Sequence, residues 1–116
     1  MKRILFLVLV VQFFASCTSE SIPNGILSEG DMVKILVDIQ LTEGMVSAMP
    51  IPYDSSQALY SLMEKEVFIK HEVTDSVFTK SMLYYLEDAK KMDRIYARVI
   101  DSLMVRETNP GIEERF

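Results

Sequence analysis

Apolar residues recur along this chain in stretches of helical spacing, divided by short polar or proline-containing breaks. The first stretch, Ile4 to Phe14, is apolar apart from Gln12 and follows the basic pair Lys2 and Arg3. A helix needs about 20 apolar residues to span a bilayer. A shorter run behind a basic pair fits the hydrophobic region of a secretory signal. The second stretch opens at Ser28, a good N-cap, with Glu29 and Asp31 in the first turn. Acidic groups there satisfy free N–H groups and the helix dipole. Met32, Leu36, Ile39 and Val46 then follow at helical intervals. Pro50 and Pro52 break the pattern, so 48–55 is expected to be a connection.

A third stretch, about 56–71, sets Leu59, Leu62, Met63 and Ile69 toward one side. Val67-Phe68-Ile69 could also form a short strand, but Glu64, Lys65 and Glu66 lead into it with no turn signal, which favours helix. Thr74-Asp75 is the next N-cap, followed by Val77, Phe78, Met82, Tyr85 and Leu86. Asp88 caps a last stretch in which Met92, Ile95, Tyr96, Val99, Leu103 and Met104 form the cleanest amphipathic stripe of the chain. After Arg106, Asn109-Pro110-Gly111 and clustered charges predict a flexible tail over 107–116. No alternating strand pattern and no internal repeat stands out. The expected fold class is all-α, a small bundle of three or four helices after a signal peptide and a short tether. Such helices are marginal alone and dock through their apolar faces.

Composition narrows the class. With 116 residues the chain has room for one domain. One Cys and one His exclude an internal disulfide, a Cys-based zinc site and any site needing two imidazoles. The net charge of −5 argues against a nucleic-acid partner. Most of the methionines are expected to fill gaps in the core.

The lone cysteine falls in Phe14-Ala15-Ser16-Cys17. Small residues just before a Cys resemble a bacterial lipobox, in which the thiol receives a diacylglyceryl group and the signal is cut before it. The −1 and −2 positions must be small for the peptidase to reach the backbone, and Ser16 and Ala15 are. Phe14 departs from the common Leu at −3. The alternatives are an ordinary signal peptide or an uncleaved signal anchor. Each buried CH₂ contributes about 0.8 kcal/mol and one acyl chain binds only marginally, so several chains on one Cys would anchor the protein permanently. The expected organisation is a signal at 1–16, a lipidated tether at 17–27, a helical domain at 28–106 and the tail. Cleavage would remove Lys2 and Arg3, moving the net charge from −5 to −7. That surface does not seek anionic headgroups, so the lipid alone would hold it. Only Glu20 is acidic just after Cys17; surface-exported lipoproteins with a similar lipobox tend to carry an acidic cluster there, so the resemblance implies the periplasmic face of the outer membrane over the cell surface.

Three runs carry a family resemblance: Ile35-Leu36-Val37-Asp38-Ile39-Gln40-Leu41-Thr42-Glu43, Phe78-Thr79-Lys80-Ser81-Met82-Leu83-Tyr84-Tyr85, and Ile95-Tyr96-Ala97-Arg98-Val99-Ile100-Asp101-Ser102-Leu103. Over about 28–106 the chain resembles a family of short Bacteroidetes lipoproteins, the domain of unknown function numbered 4296. The resemblance implies a helical fold and an envelope location, and carries no activity. Gly44, where family members more often have Ala, and the two prolines after it depart from the pattern.

Among candidate residues, Glu43 follows Ile39 by four and Leu36 by seven, which puts a carboxylate on the apolar face. It is expected to be a structural clamp accepting from Tyr84, Tyr85 or a backbone N–H; the alternative is an acid that touches a ligand or partner. Asp38 lies on another face. Tyr84 and Tyr85 point about 100° apart, so one can pack inward and one can sit at the rim of a binding surface. His71 and Glu72 are read as a solvated turn. Ser81 has no glycine elbow, and no phosphate loop or cation loop occurs. No cofactor and no metal site is expected, and no catalysis. The expected function is a lipid-anchored, non-enzymatic helical module that contacts an envelope protein, as an accessory subunit of an outer-membrane assembly, export or uptake machine. The alternative is a periplasmic carrier or sensor of a small apolar ligand held between helices by Glu43 and the Tyr pair.

Overall fold

A computed structural model of the chain describes residues 1–14 and 21–108. These form α1 (Lys2–Phe14), α2 (Glu29–Ser47), α3 (Tyr53–Lys70), α4 (Asp75–Leu86) and α5 (Ala89–Thr108). No strand occurs among the described residues, and the fold is all-α. Four helices make the body. α1 is the apolar N-terminal stretch, and no helix among the described residues is long and apolar enough to cross a membrane.

α2 is the central helix. Met32, Val33, Ile35, Leu36, Val37 and Ile39 are all buried, so its first half is covered on almost every side. One apolar cluster joins Met32, Val33, Leu36 and Val37 to Tyr85 of α4 and to Met92, Ile95 and Val99 of α5. A second joins Ile35 and Ile39 to Val67 and Phe68 of α3. Leu27 and Phe78 touch both clusters. Phe78 meets Phe68 with ring centroids 5.1 Å apart. At the helix starts, Arg94 donates to Glu29 (Nη2–Oε1 2.8 Å), tying α5 to α2.

The helix ends follow local chemistry. The Ser28 hydroxyl accepts from the Asp31 N–H, and the Thr74 hydroxyl accepts from the Val77 N–H. The Asp88 carboxylate accepts from the Lys90 and Lys91 N–H groups. α3 begins just after Pro52, earlier than expected, because proline suits a helix entrance and Asp54 complements the first turn. α3 closes in a paired turn: the Glu72 N–H donates to the Ile69 carbonyl and the Val73 N–H to the Phe68 carbonyl. This is a Schellman motif, with Val73 packed on the Phe68 cluster. Glu72 occupies its left-handed position at φ 54°, where glycine is usual.

Several packing expectations need correction. On α3 the buried residues are Val67 and Phe68, while Leu62 and Ile69 are exposed. α3 meets the body mainly along α2, with Phe68 also against Phe78 of α4, so the docking of Phe68 decides which side turns inward. On α5, Tyr96 and Met104 are exposed, because only the Met92–Ile95–Val99 side reaches the core. Of the methionines, Met32 and Met92 are buried, but Met45, Met49 and Met104 are exposed. α5 continues through Glu107 to Thr108, whose hydroxyl donates to the Met104 carbonyl. The remainder of the expected tail, 109–116, lies outside the described residues.

Candidate functional site

Charge gathers where the C-terminal ends of α3 and α5 meet the middle of α2. Asp38 projects from α2 with only 12% of its side chain exposed. Lys70 Nζ donates to Asp38 Oδ2 at 3.0 Å, and His71 Nε2 donates to the same oxygen at 2.6 Å. Arg106, in the last turn of α5, holds Nη1 3.6 Å from Oδ1. Cations at two helix C-termini complement the negative ends of both dipoles. Burial alone would raise the Asp38 carboxyl. The hydrogen bonds and charges of His71 and Lys70 outweigh it and hold the group below its ordinary value. His71 is thus a partner of Asp38, not the solvated turn expected beside Glu72. Asp38 was missed as a candidate, and the signal for it was a single carboxylate set inside the apolar run from Ile35 to Ile39.

This cluster forms the floor of a cleft of about 560 Å³ between α2 and the ends of α3 and α5. Val105 supplies exposed apolar wall above the buried Val33 and Val37, and Lys34, Asp101 and Arg106 supply charge. Ser102 also lines it, but its hydroxyl donates to the Arg98 carbonyl at 2.8 Å, and it makes no hydrogen bond to His71 among the described residues. The arrangement can hold a ligand by charge and apolar contact; it assembles no Ser–His pair. A second groove of about 610 Å³ runs between α2 and α3, past Leu41, Met45 and Met63. Among the described residues no group of three or more His, Cys, Asp or Glu could hold a metal ion.

The residues singled out from the sequence separate into distinct places. Cys17 lies outside the described residues. Glu43 is exposed, so it is no buried clamp; the buried polar residue beside it is Thr42. Its charge instead reaches Tyr60. Burial first, then the Glu64 carboxylate, and last the Glu43 charge push the Tyr60 hydroxyl up to about 12. Ser81 is fully buried and bridges two segments. Its hydroxyl accepts from the Leu27 N–H at 2.9 Å and donates to the Val77 carbonyl at 2.7 Å. Tyr85 is 1% exposed, and its hydroxyl donates to the Leu27 carbonyl at 2.7 Å. Burial, and then the charge of Glu29, raise the pKa of that hydroxyl. Tyr84 packs edge-on to Tyr85, with centroids 5.0 Å apart, and Lys91 reaches both its hydroxyl and its ring.

Ser81 and Tyr85 therefore clasp both backbone groups of Leu27. The segment expected to be loose tether through residue 27 is docked at its end, with Ile26 and Leu27 against the core. The Tyr pair is spent on this clasp and its rim, not on an open binding face. The exposed apolar row lies elsewhere, on α5. Tyr96, Ile100 and Met104 are 44%, 52% and 59% exposed at intervals of one helical turn.

Comparison with known families gives one match. The family described as "Domain of unknown function (DUF4296)" matches residues 23–109. That span takes in the Leu27 clasp, the Asp38 cluster and the α5 row. No curated protein and no solved structure matches.

Proposed function

We propose a role from the premise that the chain belongs to the DUF4296 family, which prescribes no activity. It is a lipid-anchored cell-envelope lipoprotein, held through Cys17 on the periplasmic side of the outer membrane. It acts without catalysis, as a helical module that docks on an envelope protein, an accessory subunit of an assembly, export or uptake machine. The observation that carries this reading is the row Tyr96, Ile100 and Met104 on α5. Anchors one turn apart suit a helix or groove on a partner. An aromatic residue and a Met are among the types enriched at interface centres. The clasp on Leu27 adds support. It would hold the body within about ten residues of the lipid, roughly 35 Å of chain at most.

The test is crosslinking of the tagged full chain in its own membranes, read by mass spectrometry. One partner should be captured at stoichiometric yield. It should be lost on Ile100→Asp, which leaves the core untouched and the melting temperature unchanged. Equal capture by the variant, or no partner above background, would overturn the reading. A second reading, a carrier or sensor of a small ligand between helices, is favoured by the cleft beside Asp38. It no longer involves Glu43 or the Tyr pair.

A further inference from the structure

We infer that the partner docks on α5 through a helix of its own, one that carries a Lys or Arg at each end of an apolar stripe, set against Asp93 and Glu107. The inference rests on the reading proposed above, that the outward face of α5 meets an envelope protein.

The spacing points to a helix. Asp93, Ala97, Ile100, Met104 and Glu107 follow one another at intervals of four, three, four and three residues. That is the interval of a coiled-coil seam, along which a second helix lies nearly in line with the first. At about 100° per residue the five side chains share an arc of about 80°, with Tyr96 at its edge. All five are exposed, so the bundle leaves this seam uncovered among the described residues.

Charge then describes the partner. The seam is apolar in its middle and acidic at both ends. Neither Asp93 nor Glu107 makes an ion pair among the described residues. The cations of α5 are turned elsewhere. Arg94 is on Glu29, Arg106 is beside Asp38 and Lys91 is on Tyr84. Lys90 and Arg98 fall outside the arc of the seam, as does Asp101. A facing helix completes the site by supplying a cation at each end, fourteen residues or about 21 Å apart. The same charges argue against a second copy of this chain. In a parallel pair, Asp93 would meet Asp93 and Glu107 would meet Glu107. In an antiparallel two-fold pair about Ile100, Asp93 would meet Glu107 twice. Either arrangement sets like charges together at both ends.

The test titrates the full chain with two synthetic helical peptides and follows the methyl resonances of Ala97, Ile100 and Met104. One peptide carries Lys, Leu, Leu, Leu and Lys at the same intervals on an Ala and Gln background; its twin has Glu in place of both Lys. The Lys peptide should shift the three resonances saturably at one equivalent. It should bind about tenfold tighter than the twin, the scale for two surface pairs changed from attraction to repulsion. Asp93→Lys with Glu107→Lys should invert the preference. If that reversal disturbs the helix, Asp93→Asn with Glu107→Gln should bind the two peptides alike. Ile100→Asp adds an acid yet should abolish Lys-peptide binding, which separates the seam from the general attraction of an acidic chain. Equal affinity of the two peptides for the parent chain, or a preference that survives charge reversal, would overturn the inference. So would a seam that responds to neither peptide. A dimer of the full chain in sedimentation that Ile100→Asp dissolves would overturn it in favour of a second copy. Membrane crosslinking keeps the two readings apart. Partner capture lost on Ile100→Asp but unchanged on charge reversal would leave the docking reading standing and remove the basic helix; no capture by the parent chain would end both.

Discussion

Asp38 draws Lys70, His71 and Arg106 to one carboxylate, so its removal strands three donors at two helix ends. Asp38→Asn is expected to cost about 1–3 kcal/mol, chiefly the penalty for leaving the mostly covered His71 and Arg106 without their anion, since Lys70 is more than half exposed. The pH dependence follows from the lowered carboxyl. The unfolded chain takes up the proton near 3.8 and the folded chain only at lower pH. The unfolded state therefore binds more protons between the two values, and stability rises with pH there. The Asp38 contribution is complete above 3.8 and is lost as pH falls through the folded value. Urea melts at pH 7 and near pH 3 should show the gap between parent and Asp38→Asn narrowing in acid. A gap that stays constant would remove the ion cluster from the account. Helical arithmetic from Leu36 and Ile39 pointed to Glu43 instead. It assumes one buried face, and α2 has none: its first half is covered nearly all round, and beyond Ile39 only the Thr42 and Val46 side is. A carboxylate inside the wrapped half is confined between neighbours, while one turn further on it is free.

Among the elements, the turn between α3 and α4 holds the one positive-φ residue other than glycine among the described residues, Glu72. Both hydrogen bonds of the Schellman pair pass its ends, so the conformation is imposed on a side chain that disfavours it. Glu72→Gly should raise stability by about 0.5–1 kcal/mol, since relief of the left-handed strain exceeds the added freedom of the unfolded chain. Glu72→Ala keeps the Cβ and should give no such gain. Urea midpoints of the two variants decide it, and a loss on Glu72→Gly would mean that the turn is not strained. Helix starts were legible in the sequence because a cap is local: Ser28, Thr74 and Asp88 each act on N–H groups two or three residues away. The place of this stop was legible too, since the stretch read as about 56–71 ends at the His71 cap, but its left-handed residue was not, because glycine is the usual marker and Glu stands in its place. The inward face of α3 was also hidden. Leu62 and Ile69 share a helical side, but the contact of Phe68 with Phe78 is a tertiary fact that spacing within one helix does not carry.

Across the whole molecule, the N-terminal segment and the bundle are joined at Leu27. Its N–H is held by Ser81 and its carbonyl by Tyr85, residues of one α4 face, one turn apart. The run Phe78 to Tyr85 was legible as a family pattern, but not as a clasp, because its partner lies more than fifty residues away in a stretch with no pattern of its own. Ser81→Ala removes the acceptor and leaves the Leu27 N–H without a partner beside the core, a cost of about 1–3 kcal/mol. Tyr85→Phe keeps the ring in place and removes only the donor to the carbonyl, about 1 kcal/mol. Amide hydrogen exchange separates the clasp from the core. Leu27 should lose protection in Ser81→Ala, while Ile95, at the centre of the bundle, keeps most of its own. Loss at both sites together would make Ser81 an ordinary core residue. Loss at Leu27 alone would make the clasp a separable joint. With the proposed anchor at Cys17, each residue released from that joint adds about 3.3–3.6 Å to the reach of the body from the membrane. The clasp would then set how far from the lipid the α5 row can meet its partner, and a released variant should crosslink that partner at altered sites.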